Sequence, residues 1–123
     1  MNNLRFLREL TGVTAKELSS LLNITVHTYY GLEKNQRDIS LVYETMFMRI
    51  YRIPKKEIYC PENVISAETL TRLKELSGMD ADRRYSSIVY NLCGQKNIKM
   101  TYAVVAKIKQ EIEQQIKRME KCK

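Results

Sequence analysis

The fold is decided by the stretch Thr14-Ala-Lys-Glu-Leu-Ser-Ser-Leu-Leu-Asn-Ile-Thr-Val-His-Thr-Tyr-Tyr-Gly-Leu-Glu-Lys34. Thr14 can cap a helix, with Glu17 three residues on as its capping-box partner. Leu18, Leu21 and Leu22 form one apolar face of that helix. Asn23 tolerates the left-handed conformation and stops it. Thr25 caps a second short helix that runs to about Lys34. The connection Asn23-Ile24-Thr25 is too short for an antiparallel hairpin with parallel axes. It forces a steep crossing, with Leu18, Ile24, Tyr29 and Leu32 plugging the angle. The second helix of such a unit turns its polar face outward, the shape that enters a DNA major groove.

Working outward, the whole chain reads as helix. Four glycines and two prolines punctuate 123 residues, and no stretch of five alternates apolar and polar as a strand would. Upstream, Asn2 or Asn3 caps a first helix carrying Leu4 and Leu7, ended by Gly12. Downstream, Ser40 caps a fourth helix that turns Tyr43, Phe47, Ile50 and Tyr51 inward. Pro54 ends it, and Lys55 to Tyr59 can add one more turn. Cys60-Pro61-Glu62-Asn63 is the best boundary, dividing the chain into residues 1–61 and 62–123. Beyond it, Ser66 caps a helix with Leu70, Leu73 and Leu76 inward. Asp80 or Asp82 starts another, with Tyr85, Ile88, Val89 and Leu92 inward and Gly94 at its end. The last and longest helix spans about Thr101 to Cys122.

The 1–61 segment resembles the phage-repressor (Xre/Cro-like) helix-turn-helix family over about residues 3–59. Leu4-Arg5-x-Leu7-Arg8-Glu9 is similar to that family's first helix. Gly12-Val13-Thr14 matches its turn, Glu17-Leu18 its second helix, and Ile24-Thr25 the residues before its recognition helix. Leu32-Glu33 and Arg37 match the exit. The fold class implied is all-α: an N-terminal lambda-repressor-like helix-turn-helix domain, then a small helical C-terminal region ending in a long helix. The resemblance also implies a structural ion pair between Arg8 and Glu33. It places Val26, His27, Tyr30 and Gly31 at or near the groove, and Thr25, Thr28, Lys34, Asn35 and Arg37 at phosphates. The helix start at Thr14, with Lys16, faces phosphate too. Two departures stand out. Ala15 replaces a phosphate-contacting Gln, and Gly31 lies where a base-reading Gln, Arg or Asn often sits.

Charge agrees with a polyanion partner. Lys plus Arg is 21 against 14 for Asp plus Glu, a net charge of +7. The excess is spread along the chain, +3 over residues 1–61 and +4 over 62–123, with no basic tail. The pairs Arg83-Arg84 and Lys96-x-x-Lys99 read as a solvated face, or else as a second nucleic-acid or acidic-protein surface.

His27 is the only histidine, and no Cys, Asp or Glu cluster has ligand spacing, so no metal, cofactor or catalytic site is expected. Without a Gly-rich phosphate loop or a nucleophile beside a base, an enzyme is not expected either. Cys60, Cys93 and Cys122 form no C-x-x-C pair and point to a reducing cytoplasm. No signal peptide or membrane span is expected. On the last helix, Val105, Ile108, Ile112, Ile116 and Met119 keep a 3–4 spacing. That face can pack on its own domain or pair with a second copy, and the region is read as dimerising. The leading expectation is a repressor-like transcriptional regulator of bacterial, phage or mobile-element origin, binding double-stranded DNA as a homodimer. The alternative uses the same fold as a scaffold for a second protein: an inhibitor of a host nuclease (anti-CRISPR-like) or an antitoxin, with Tyr30 suited to such an interface.

Overall fold

The computed structural model describes residues 2–59 and 65–121, so the boundary expected at Cys60 to Asn63 and the helix end at Cys122 lie outside the described residues. Among the described residues there are eight α-helices and no strand. Their order is α1 (Leu4–Thr11), α2 (Ala15–Leu22), α3 (Val26–Glu33), α4 (Leu41–Tyr51), α5 (Lys56–Tyr59), α6 (Ala67–Ser77), α7 (Ala81–Cys93) and α8 (Tyr102–Lys121).

Local chemistry sets the ends. Thr14, Thr25, Ser40, Ser66 and Asp80 each accept a hydrogen bond from the backbone N–H three residues on. Each satisfies a donor that the first helical turn leaves without a partner. Asp80, not Asp82, therefore starts α7. At α1 the accepting side chain is Asn2, 3.0 Å from the Leu4 N–H. Asn3 is instead buried and donates to the Glu57 carbonyl. Asn23 closes α2 in the left-handed region at φ 54°.

The apolar faces of residues 2–59 and 65–121 meet in one core that runs from Leu4 and Leu7 through Phe47 and Ile50 to Val105 and Ile112. α2 packs on α3 and α1 also touches α3. α6 lies on α1, α7 and α8 lie on α4, and α8 reaches α2. Tyr43, Leu70 and Tyr85, expected inward, are half-buried at the edge of this core. Polar ties reinforce the packing. Arg72 donates to the carbonyls of Tyr51 and Arg52 at the end of α4, and Asn91 donates to that of Ile50. These are the carbonyls a helix C-terminus leaves unpaired, and a cation there also meets the negative end of the helix dipole.

Candidate nucleic-acid interface

The second and third helices carry the candidate surface. The Thr14 hydroxyl accepts from the Glu17 N–H at 3.1 Å, while the Glu17 carboxylate accepts from the Thr14 N–H at 3.0 Å. Glu17 is thereby used locally. Lys16 is exposed on the first turn of α2. The Thr25 hydroxyl accepts from the Thr28 N–H and donates to the Thr28 hydroxyl.

On α3, Val26, His27, Tyr30 and Lys34 (at its C-terminal cap) are exposed. Tyr29 points the other way and is fully buried, its ring edge-on to Tyr30 at 5.9 Å between centroids. Ala15 is buried. Arg5, Arg8, Tyr30, Glu33 and Lys34 line an open cleft between α1 and α3 of about 370 Å³.

Glu33 is the only acidic residue of α3, and it is not available to repel a polyanion. Arg8 holds it in a two-point fork: Nε donates to Oε2 at 2.9 Å and Nη2 to Oε1 at 3.0 Å. The Glu33 side chain is 3% exposed and that of Arg8 20%. The Arg8 guanidinium also lies over the Tyr30 ring, 5.6 Å from its centroid. This bonding to Glu33 raises the Arg8 pKa above its ordinary value. Arg8 therefore stays charged and orients α3 against α1.

Gly31 and Asn35, both expected to face DNA, have partners within the chain. Gly31 is buried, covered by the side chain of Arg37. Asn35 is in the left-handed region at φ 60°, and its side-chain oxygen accepts from Asn2. Asn35 is nonetheless exposed. Thr28 is half-buried, with its hydroxyl engaged by Thr25. Thr14, Thr25 and Arg37 remain exposed.

The proposed seam on α8 is also largely used within the chain. Val105, Ile108 and Ile112 are buried in the core, Ile116 is half-buried, and Met119 is 69% exposed. Three of the five residues assigned to a second copy thus already have partners on α4 and α2.

Arg84 was missed as a structural residue, since the Arg83-Arg84 pair reads as a solvated face. Arg83 is exposed, but Arg84 is half-buried. Its guanidinium donates to the carbonyls of Leu76 and Met79 at 2.8 Å, Gly12 at 3.3 Å and Ser77 at 3.4 Å. It ties the turn after α1 to the α6–α7 connection. Nothing local distinguishes the two arginines except which one falls over those carbonyls.

Among the described residues no group of three or more His, Cys, Asp or Glu could hold a metal, and no helix is long and apolar enough to cross a membrane. Compared with protein-family models, curated proteins and solved structures, the chain gives no match.

Proposed function

We propose that this chain is a sequence-specific DNA-binding regulator of transcription, repressor-like and of bacterial, phage or mobile-element origin. α3 is the element that enters the major groove. One observation carries the reading. The exposed surface of α3 and its cap offers Val26, His27, Tyr30 and Lys34, while its single carboxylate is buried against Arg8. An apolar contact for a thymine methyl, a donor for a purine acceptor and a cation for phosphate thus stand together with no free negative charge on the helix. The N-terminus of α3 at Thr25 and that of α2 at Thr14 add N–H groups and positive dipole ends.

Two such surfaces about 34 Å apart would read an inverted repeat. With Val105, Ile108 and Ile112 buried, the apolar side chains that α8 leaves exposed for a second copy are Met119 and Tyr102, the latter 77% exposed, with Ile116 half-buried.

The test is a titration of the purified chain with the DNA immediately upstream of its own gene, at several salt concentrations, against scrambled DNA. Phosphate contacts from Lys16 and Lys34 predict a log–log salt slope of about −2 per protomer. Binding to the native sequence should be tighter than to the scrambled one. Weak binding that is equal for both DNAs would overturn the reading. It would move the search to protein partners of the Tyr30 face.

A further inference from the structure

Gly31 sits inside α3, where glycine costs about 1 kcal/mol relative to alanine. Its backbone is helical, so no unusual conformation requires it. What a side chain here would press on is Arg37. A Cβ on residue 31 would lie 3.2 Å from Cδ, 3.3 Å from Nε and 3.5 Å from Cγ of Arg37. The chain is brought back onto the helix by the turn that ends α3. Asn35, left-handed, donates its N–H to the Leu32 carbonyl at 3.3 Å, and Gln36 donates to that of Gly31 at 2.9 Å. This is the paired bonding of a Schellman closure. The Arg37 N–H also reaches the Gly31 carbonyl, at 3.3 Å.

The stem of Arg37 therefore fills the place that a side chain at 31 would have occupied. Positions 27, 31 and 34 follow one another along one helical face, and His27 and Lys34 on that face are exposed. The Arg37 guanidinium belongs to an exposed residue and makes no hydrogen bond or ion pair with any described residue.

Resting on the DNA-binding reading above, we infer that Arg37 is a specificity-determining residue that reads a guanine from outside the helix, through the gap left by Gly31. A guanidinium presents parallel donors that fit O6 and N7 of guanine in the major groove. A stem already laid against the helix loses less freedom on binding than a free surface arginine. A phosphate contact would need only the charge. A base contact needs the fork and its position.

The experiment is selection of binding sites from a random duplex library by the full chain and by two variants. The wild-type chain should enrich a motif containing a guanine column. Arg37→Lys keeps the charge and loses the fork, so that column should flatten, by roughly 5- to 150-fold in base preference, while the rest of the motif persists. Gly31→Ala keeps Arg37 but displaces its stem, so the same column should weaken or shift. An Arg37→Lys motif identical to the wild type, with affinity lowered evenly on all sequences, would make Arg37 a phosphate contact and overturn the inference while leaving DNA binding intact. An unchanged column in Gly31→Ala would overturn the role of the gap. A wild-type chain that enriches no motif would remove the DNA-binding reading, and this inference with it.

Discussion

Removing Arg8 should be more damaging than removing Glu33, although the two form a single ion pair. At 2.9 Å their attraction is about 5–6 kcal/mol in a medium of effective dielectric near 20. Desolvation offsets most of that, so the pair as a whole contributes little against an apolar pair of similar shape. The cost lies in stranding one partner, and burial is unequal. The Glu33 side chain is 3% exposed and cannot reach water without moving α3, whereas that of Arg8 is 20% exposed and can swing outward. Arg8→Met, which keeps the stem but strands the carboxylate, should cost about 3–5 kcal/mol. Glu33→Leu, which strands only the partly exposed guanidinium, should cost about 1–3 kcal/mol. The double variant should return to within about 1.5 kcal/mol of the wild type.

Urea unfolding followed by far-ultraviolet circular dichroism measures all four proteins. A domain of this kind has a total stability of about 5–15 kcal/mol, so the Arg8→Met midpoint should move far enough to be read without ambiguity. Equal losses for the two single variants, or a double variant as unstable as Arg8→Met, would refute the argument that burial of the stranded group sets the cost.

Three further outcomes follow from the core. Tyr29 and Tyr51 are fully buried, the Tyr51 hydroxyl has no hydrogen-bond partner among the described residues, and burial pushes both phenols well above their ordinary pKa. In the unfolded chain they ionise near pH 10. Their contribution is therefore intact below pH 10 and is lost as pH rises from there through the folded value, at about 2.7 kcal/mol per pH unit for the two together. Tyr51→Phe should cost little at neutral pH and should reduce the alkaline loss of stability by about 1.4 kcal/mol per pH unit in unfolding titrations; an unchanged slope would contradict it. Arg84→Ala removes donors to four carbonyls and should lower stability by about 2–3 kcal/mol, while Arg83→Ala should change it by less than about 0.5 kcal/mol. Ile112→Ala should cost about 2–5 kcal/mol and leave the mass measured by light scattering unchanged. A fall in mass would return Ile112 to a subunit seam.

Much of the architecture was legible because it rests on short-range chemistry. A hydroxyl three residues before an N–H is enough to place the starts at Thr14, Thr25, Ser40 and Ser66. The apolar stripe of α8 was equally plain, but a stripe shows only that a face is covered, not by what. Its partners are α4 and α2, far away in sequence. Arg8 and Glu33 lie 25 residues apart, and only the family resemblance could have joined them. Gly31 shows the opposite limit. Its cost to the helix is local, while the side chain that occupies its place comes from six positions on, Arg37, laid back across it after Asn35 reverses the chain.

The distribution of charge argues for the α3 surface more strongly than the net charge does. Several cations of this basic chain are committed within it. Arg8 is bound to Glu33, Arg72 and Arg84 to backbone carbonyls, and Arg49 to Gln115. Around α3 the side chains of Lys16, Lys34 and Arg37 have no partner among the described residues, while Glu17 and Glu33 are engaged and Asp38 is exposed. Neutralising a cation that touches phosphate lowers the salt slope by about 0.9. Lys16→Gln and Lys34→Gln should each do so, with stability changed by less than about 0.5 kcal/mol. Lys121→Gln, at the far end of α8, removes the same charge from the protein and should leave the slope unchanged. If it lowers the slope as much as Lys34→Gln, binding follows the overall charge of the molecule and α3 has no special place in it.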